Sequence, residues 1–111
     1  MIGTCGFTRF DYSNNSAEIG YVLNPAYHGR GIATEAVKKV LEFGFERLSL
    51  NRIEGKYMVE NVASRRVMEK CSMTYEGMRR EGMLIKGRYR NVGVCSILKR
   101  EYRDGQDQAI I

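Results

Sequence analysis

Apolar and polar positions alternate with two different periods along this chain, and the change of period marks its elements. Thr4 to Phe10 and Ala17 to Leu23 read as strands, with Gly6 a candidate irregularity in the first. Asp11 to Ser16, between them, is rich in residues that bond their own backbone, so the opening is a hairpin. Asn24-Pro25 stops the second strand, because proline cannot donate to a ladder. From Thr34 to Leu48 the period becomes helical. Ala33, Ala36, Val37, Val40, Leu41, Gly44, Phe45 and Leu48 share one broad face, and Glu35, Lys38, Lys39, Glu42 and Glu46 take the other. Ile53 to Val59 alternates as a strand. Asn61 is a good N-cap for a second helix from Val62 to about Lys70. Thr74 to Met83 and Tyr89 to Leu98 read as two long strands joined by a turn at Ile85 to Arg88. Arg103 to Gln108 is polar and expected to fray, with Ile110 and Ile111 free to dock.

The order is therefore β-β-α-β-α-β-β. Strand, helix and strand in succession predict a right-handed crossover with parallel strands. The fold class is α/β, a mixed sheet flanked by helices. One domain is expected over residues 1–102, with a polar tail over 103–111.

The junction between the second strand and the first helix, His28-Gly29-Arg30-Gly31-Ile32-Ala33, carries the first hint of chemistry. A helix start leaves N–H groups without intrahelical partners and bears partial positive charge. Glycine lets an anion approach the backbone closely. A phosphate-binding turn fits, with His28 and Arg30 as added donors, and so does an ordinary loop into a helix. The neighbouring residues have to decide.

Composition narrows the field only in part. A chain of 111 residues suits one domain, which buries roughly 65% of its unfolded surface. Cys5, Cys71 and Cys95 form no C-x-x-C pair, and with His28 the sole histidine they make a poor metal site. Reduced, buried cysteines in a cytoplasmic protein are the simplest account. No apolar run approaches the roughly 20 residues of a membrane span. The net charge of +5 suits an anionic partner without choosing one. The basic residues from Arg79 to Arg90 have few aromatics beside them, so a solvated hairpin face is favoured over a nucleic-acid surface.

Glu18-Ile19-Gly20-Tyr21-Val22-Leu23-Asn24-Pro25, the glycine turn and Thr34-Glu35-Ala36 together resemble the GNAT superfamily of acetyl-CoA-dependent N-acetyltransferases. With Glu60 to Lys70, Tyr75-Glu76-Gly77 and Arg80-Glu81, the chain is most similar to the Rim-type branch, the ribosomal-protein N-terminal acetyltransferases. The resemblance runs from about Ile2 to Tyr102. It implies a sheet whose central strands splay to admit acetyl-CoA. The family's Arg/Gln-x-x-Gly-x-Gly/Ala signature falls on His28, Gly29, Arg30, Gly31, Ile32 and Ala33, with histidine in an unusual first place. The amides from Gly29 to Ala33 are thereby expected to hold the pyrophosphate. The backbone of Val22 and Leu23 would pair with the pantetheine arm, and Asn61 would contact it. Ser64 matches a residue near the thiol sulfur, and Glu18 an acid that draws a proton from the acceptor amine.

The implied reaction is direct attack of a primary amine on the thioester in a ternary complex. A carboxylate helps deprotonate the amine, backbone N–H groups stabilise the oxyanion, and a hydroxyl meets the leaving thiolate. Plainer roles stand beside these: Asn61 as a helix cap, Ser64 as first-turn chemistry, Glu18 as a cross-strand pairing residue; for Arg65 and Arg66 the alternatives are reaching the cofactor phosphates or standing as solvated cations.

Three departures from the family pattern matter. A tyrosine that often serves as general acid is matched by Met68, and the Gly-Phe after that helix by Ser72-Met73. The family's opening strand and helices, which wall the acceptor site, have no counterpart before the hairpin. That is expected of a truncated gene product, a fragment, or a chain that completes its sheet with another protomer as a homodimer, and it raises a catalytically weak or inactive CoA-binding or interaction module as an alternative to the enzyme. A basic protein associated with ribosome or nucleic acid is a third reading.

Overall fold

The computed structural model describes residues 3–23 and 31–110, with side chains for 6–20 and 31–104. The order of elements is β1 Gly3–Asp11, β2 Ser16–Leu23, α1 Ile32–Glu42, β3 Arg52–Met58, α2 Val62–Lys70, β4 Thr74–Ile85, β5 Arg88–Leu98 and α3 Lys99–Ile110. The five strands form one mixed sheet in the order β1-β2-β3-β5-β4. Among the described residues only β2 and β3 run parallel, joined through α1 as the strand-helix-strand pattern predicts. No helix among the described residues is long and apolar enough to cross a membrane.

Local chemistry accounts for the turns. In the β1–β2 turn the Asp11 carboxylate accepts from the Asn14 amide nitrogens, at 3.3 Å from the backbone and 2.8 Å from the side chain. Asn15, with φ 50°, turns its carbonyl to the Asn51 N–H at 2.7 Å, fastening this turn to the start of β3. Lys86 and Gly87 have φ of 52° and 77°, the doubly left-handed pair that a two-residue hairpin turn requires. The turn is this tight because β4 runs on to Ile85 and β5 begins at Arg88, beyond the ends expected from sequence.

The core lies between the sheet and α1 and α2. Val37, Leu41 and Phe45 meet Ile53, Ile97 and Met68 there. The end of α1 lies close on the sheet at Gly44, where a Cβ would come within 2.7 Å of Ile53 and 2.9 Å of Phe7. Phe43–Arg47 winds as a π-turn, so one extra residue enters the helical repeat. That phase slip explains one difference from expectation. Leu48, assigned to the buried face, is exposed, and Leu50 is buried in its stead.

The C-terminal segment also differs. Residues expected to fray are helical to Ile110, because α3 is anchored at its start. The Glu101 carboxylate accepts from the Leu98 N–H at 2.9 Å, and the Tyr102 ring lies 5.0 Å from Phe45. The side chains of Ile110 and Ile111 lie outside the described residues. Cys71 and Cys95 are buried, as expected; the Cys5 side chain lies outside the described set.

At the end of α2, Met73 N–H bonds to the Met68 carbonyl at 3.1 Å and Ser72 N–H to that of Glu69 at 3.0 Å. This is a Schellman closure, whose pivot favours glycine. Ser72 occupies the pivot with φ 63°. An L-residue there costs roughly 1–2 kcal/mol, partly offset by glycine's greater freedom when unfolded. Ser72→Gly is therefore expected to stabilise the protein by about 0.5–1 kcal/mol, seen as a higher denaturant midpoint at unchanged slope.

Candidate functional site

The parallel ladder joins Ser16 to Arg52, Ala17 to Ile53, Glu18 to Glu54 and Ile19 to Gly55. There it ends, although β2 continues through Leu23 and β3 through Met58. Both outer edges stay paired beyond that point. Gly3 to Gly6 of β1 pair with Leu23 to Gly20, and Val92 to Val94 of β5 pair with Met58 to Lys56. The two middle strands therefore part while each is held from outside. A gap at the C-terminal ends of parallel strands is where α/β sheets receive ligands.

A helix follows each of these two strands in the chain. The α1 helix begins at Gly31 with φ 75°, and its first intrahelical bond runs from Glu35 N–H to the Gly31 carbonyl at 3.0 Å. The N–H groups of Ile32 and Ala33 precede that bond and have no acceptor inside the helix. His28, Gly29 and Arg30 lie outside the described residues, as do the side chains of Val22 and Leu23. The α2 helix starts just after β3, capped by Asn61, whose Oδ1 accepts from the Ser64 N–H at 3.1 Å. Ser64 is half-buried, on the same face of α2 as Met68. The Cys71 thiol, 3.7 Å from the Thr34 carbonyl, ties the two helices together.

Glu18 stands on the opposite face of the sheet. Ala17 and Ile19 point into the core beneath α1, so the pleat sends Glu18 the other way. Its Oε2 accepts from Lys56 Nζ at 3.3 Å, and both side chains are mostly shielded, at 16% and 14% exposed. The bulge beside Thr8 brings that hydroxyl to the Glu18 carbonyl at 3.3 Å.

Sequence reasoning missed the charged row that crosses this face. Arg52 donates to Glu54 at 2.8 Å and to Glu76 at 2.6 Å, and the Ser96 hydroxyl donates to Glu76 as well. The hydrogen bonds from Arg52 and then Ser96 hold the Glu76 carboxyl below its usual range, and the bond to Glu76 raises Arg52. The available signal was Arg52, Glu54 and Lys56 at every second position of one strand, a charged stripe that needed partners.

Other side chains in this part of the fold are turned to other tasks. Met68, matched to the family's tyrosine, is 2% exposed and packs against Gly55. The Tyr57 ring covers Gly93 on β5, the side of β3 away from the gap, and burial raises its phenol. Burial likewise raises the Cys95 thiol, which disfavours the thiolate. Arg65 pairs with Glu69 at 2.9 Å along α2, and Arg66 is exposed.

Comparison with known proteins agrees with this architecture. Residues 1–74 match the model of the acetyltransferase (GNAT) domain. The chain is 46% identical over 102 residues to an uncharacterized N-acetyltransferase, p20, of Bacillus licheniformis, covering 92% of this chain and 57% of p20. It is 35% identical over 102 residues to the putative ribosomal N-acetyltransferase YdaF of Bacillus subtilis, covering 92% of this chain and 56% of YdaF. The crystal structure of a probable acetyltransferase superposes with a TM-score of 0.86 at 36% identity, covering 91% of this chain and 57% of that one. The chain thus spans less than two thirds of the length of these relatives. With the family model matching well over half of its residues, and with a mixed sheet parted between its parallel strands, the chain belongs to the GNAT acetyltransferase family.

Proposed function

We propose that this chain binds acetyl-CoA in the parting between β2 and β3 and transfers its acetyl group to a primary amine. The observation that carries the reading is the end of the parallel ladder at Ile19 and Gly55 while both strands continue. An arm bearing amide groups, as pantetheine does, would bond to the backbone of Val22 and Leu23, which β3 does not pair. The diphosphate would sit on the amides from Gly29 to Ala33, with His28 and Arg30 as added donors. Asn61 would contact the arm, and Ser64 would offer its hydroxyl to the departing thiolate. On the other face, Glu18 would take the proton that the amine must lose before it attacks. Holding amine and thioester together makes the attack direct, with no acyl-enzyme.

The acceptor we favour is a protein N-terminus, the Rim-type reading, in line with the likeness to the putative ribosomal enzyme YdaF. A small amine is the other candidate. The second reading is a CoA-binding module without turnover, and the buried Met68 favours it, because no phenol stands at that place. Calorimetry with CoA, followed by thiol release from acetyl-CoA against a panel of amines and N-terminal peptides, separates the two. Binding with thiol release is expected; binding alone would favour the module, and absence of binding would refute both.

Gly31→Glu puts a carboxylate where the phosphates are proposed to lie, at a position where a Cβ meets nothing within 4 Å among the described residues. It is expected to weaken CoA binding about 100-fold, some 2.7 kcal/mol. Because φ at this position is 75°, Gly31→Asn serves as control, since asparagine tolerates that backbone without adding charge. Equal loss in both variants would trace the effect to strain.

We further propose that two copies pair through β1, which among the described residues has β2 as its sole neighbour in the sheet. An open edge strand invites another strand. Light scattering at micromolar concentration is expected to give twice the chain mass, and the chain mass would refute the pairing.

A further inference from the structure

The two carboxylates nearest the parting face each other, Glu18 directly opposite Glu54 across the parallel ladder. Like charges placed so repel. Each is drawn off by its own cation. Arg52 holds Glu54 at 2.8 Å through one terminal nitrogen and Glu76 at 2.6 Å through the other, and among the described residues it makes no bond to Glu18. Lys56 alone among the described residues pairs with Glu18, at 3.3 Å. Lys56 is also the first residue of β3 past the last rung of the ladder, so the ammonium stands where the strands begin to diverge. Both side chains are mostly shielded from water, where an ion pair is screened less than on an open surface.

We propose that Lys56 is a positioning residue for acetyl transfer. It pulls the Glu18 carboxylate away from Glu54 and toward the parting, and compensates its charge while the amine approaches. This rests on the reading of Glu18 as the proton acceptor. Arg52 performs the matching service on Glu54, so that one of two facing carboxylates is spent in the sheet and the other is kept for the site.

The test uses the full chain, acetyl-CoA and the amine that supports thiol release. Lys56→Met keeps the length and removes the charge, and is expected to lower kcat roughly 10- to 100-fold, the scale of a misplaced reacting group. The KM for acetyl-CoA and the CoA affinity should stay within about twofold, since neither depends on the acceptor side. Lys56→Arg should recover most of kcat, and on a Glu18→Gln background Lys56→Met should have no further effect. Unchanged kcat in Lys56→Met, with Glu18→Gln slow, would overturn the positioning role and leave Glu18 in place. Unchanged kcat in Glu18→Gln, or no turnover by the unaltered chain, would overturn the reading beneath it. Should Lys56→Met not fold, Lys56→Gln replaces it, and unfolding of both would make the pair a structural tie and overturn the proposal.

Discussion

A ladder that stops is the constraint on which this molecule turns. Four rungs between β2 and β3 bring Ser16–Ile19 and Arg52–Gly55 into register, and no fifth follows. Fraying would be an adequate account if the strands were loose beyond that point. They are not, because β1 grips the outer edge of β2 to Leu23 and β5 grips the outer edge of β3 to Met58. The opening is therefore a built wedge. Its apex is covered on one face by α1 and α2 and is crossed on the other by the Glu18–Lys56 pair.

The two faces divide the labour by chemistry. One is apolar and close-packed, with glycines at the tightest contacts: Gly44 against Ile53 and Phe7, Gly55 against Met68. The other carries Arg52, Glu54 and Lys56 at strand spacing, partnered by Glu18, Glu76 and Ser96 from neighbouring strands. Such a row gives little net stability, because shielded ions lose hydration in forming it. What it gives is direction, fixing which way each carboxylate points.

Much of this was legible in the residues. Alternation and helical spacing located the strands and both central helices, and Asn61 was read correctly as the α2 cap. The misses share a cause, which is that a local pattern cannot see its tertiary partner. Leu48 fits an ideal helix face, but the π-turn beginning at Phe43 shifts the phase. The tail is polar enough to fray, yet Glu101 and Tyr102 tie its first turn to Leu98 and Phe45. Lys56 reads as an ordinary outward strand residue until the ladder shows Glu18 beside it. For the site, the chain pattern pointed to Gly31, Asn61, Ser64 and Glu18, and the fold sets Asn61 and Ser64 on one helix turn with Glu18 across the sheet. The charged partners of Glu18 and Glu54 needed three dimensions.

Fastening both walls from outside has a consequence for how the wedge can evolve. Its inner lining is main chain, and main-chain amides are the same whatever residue bears them. A guest recognised through them would be indifferent to substitutions along that stretch, so mutational drift there would leave recognition intact. Selection would instead bear on what keeps the walls apart, namely the outer pairings and the glycines that let the helices lie close. Retention of the ligand and freedom to change its surroundings would then reside in different parts of the same strands.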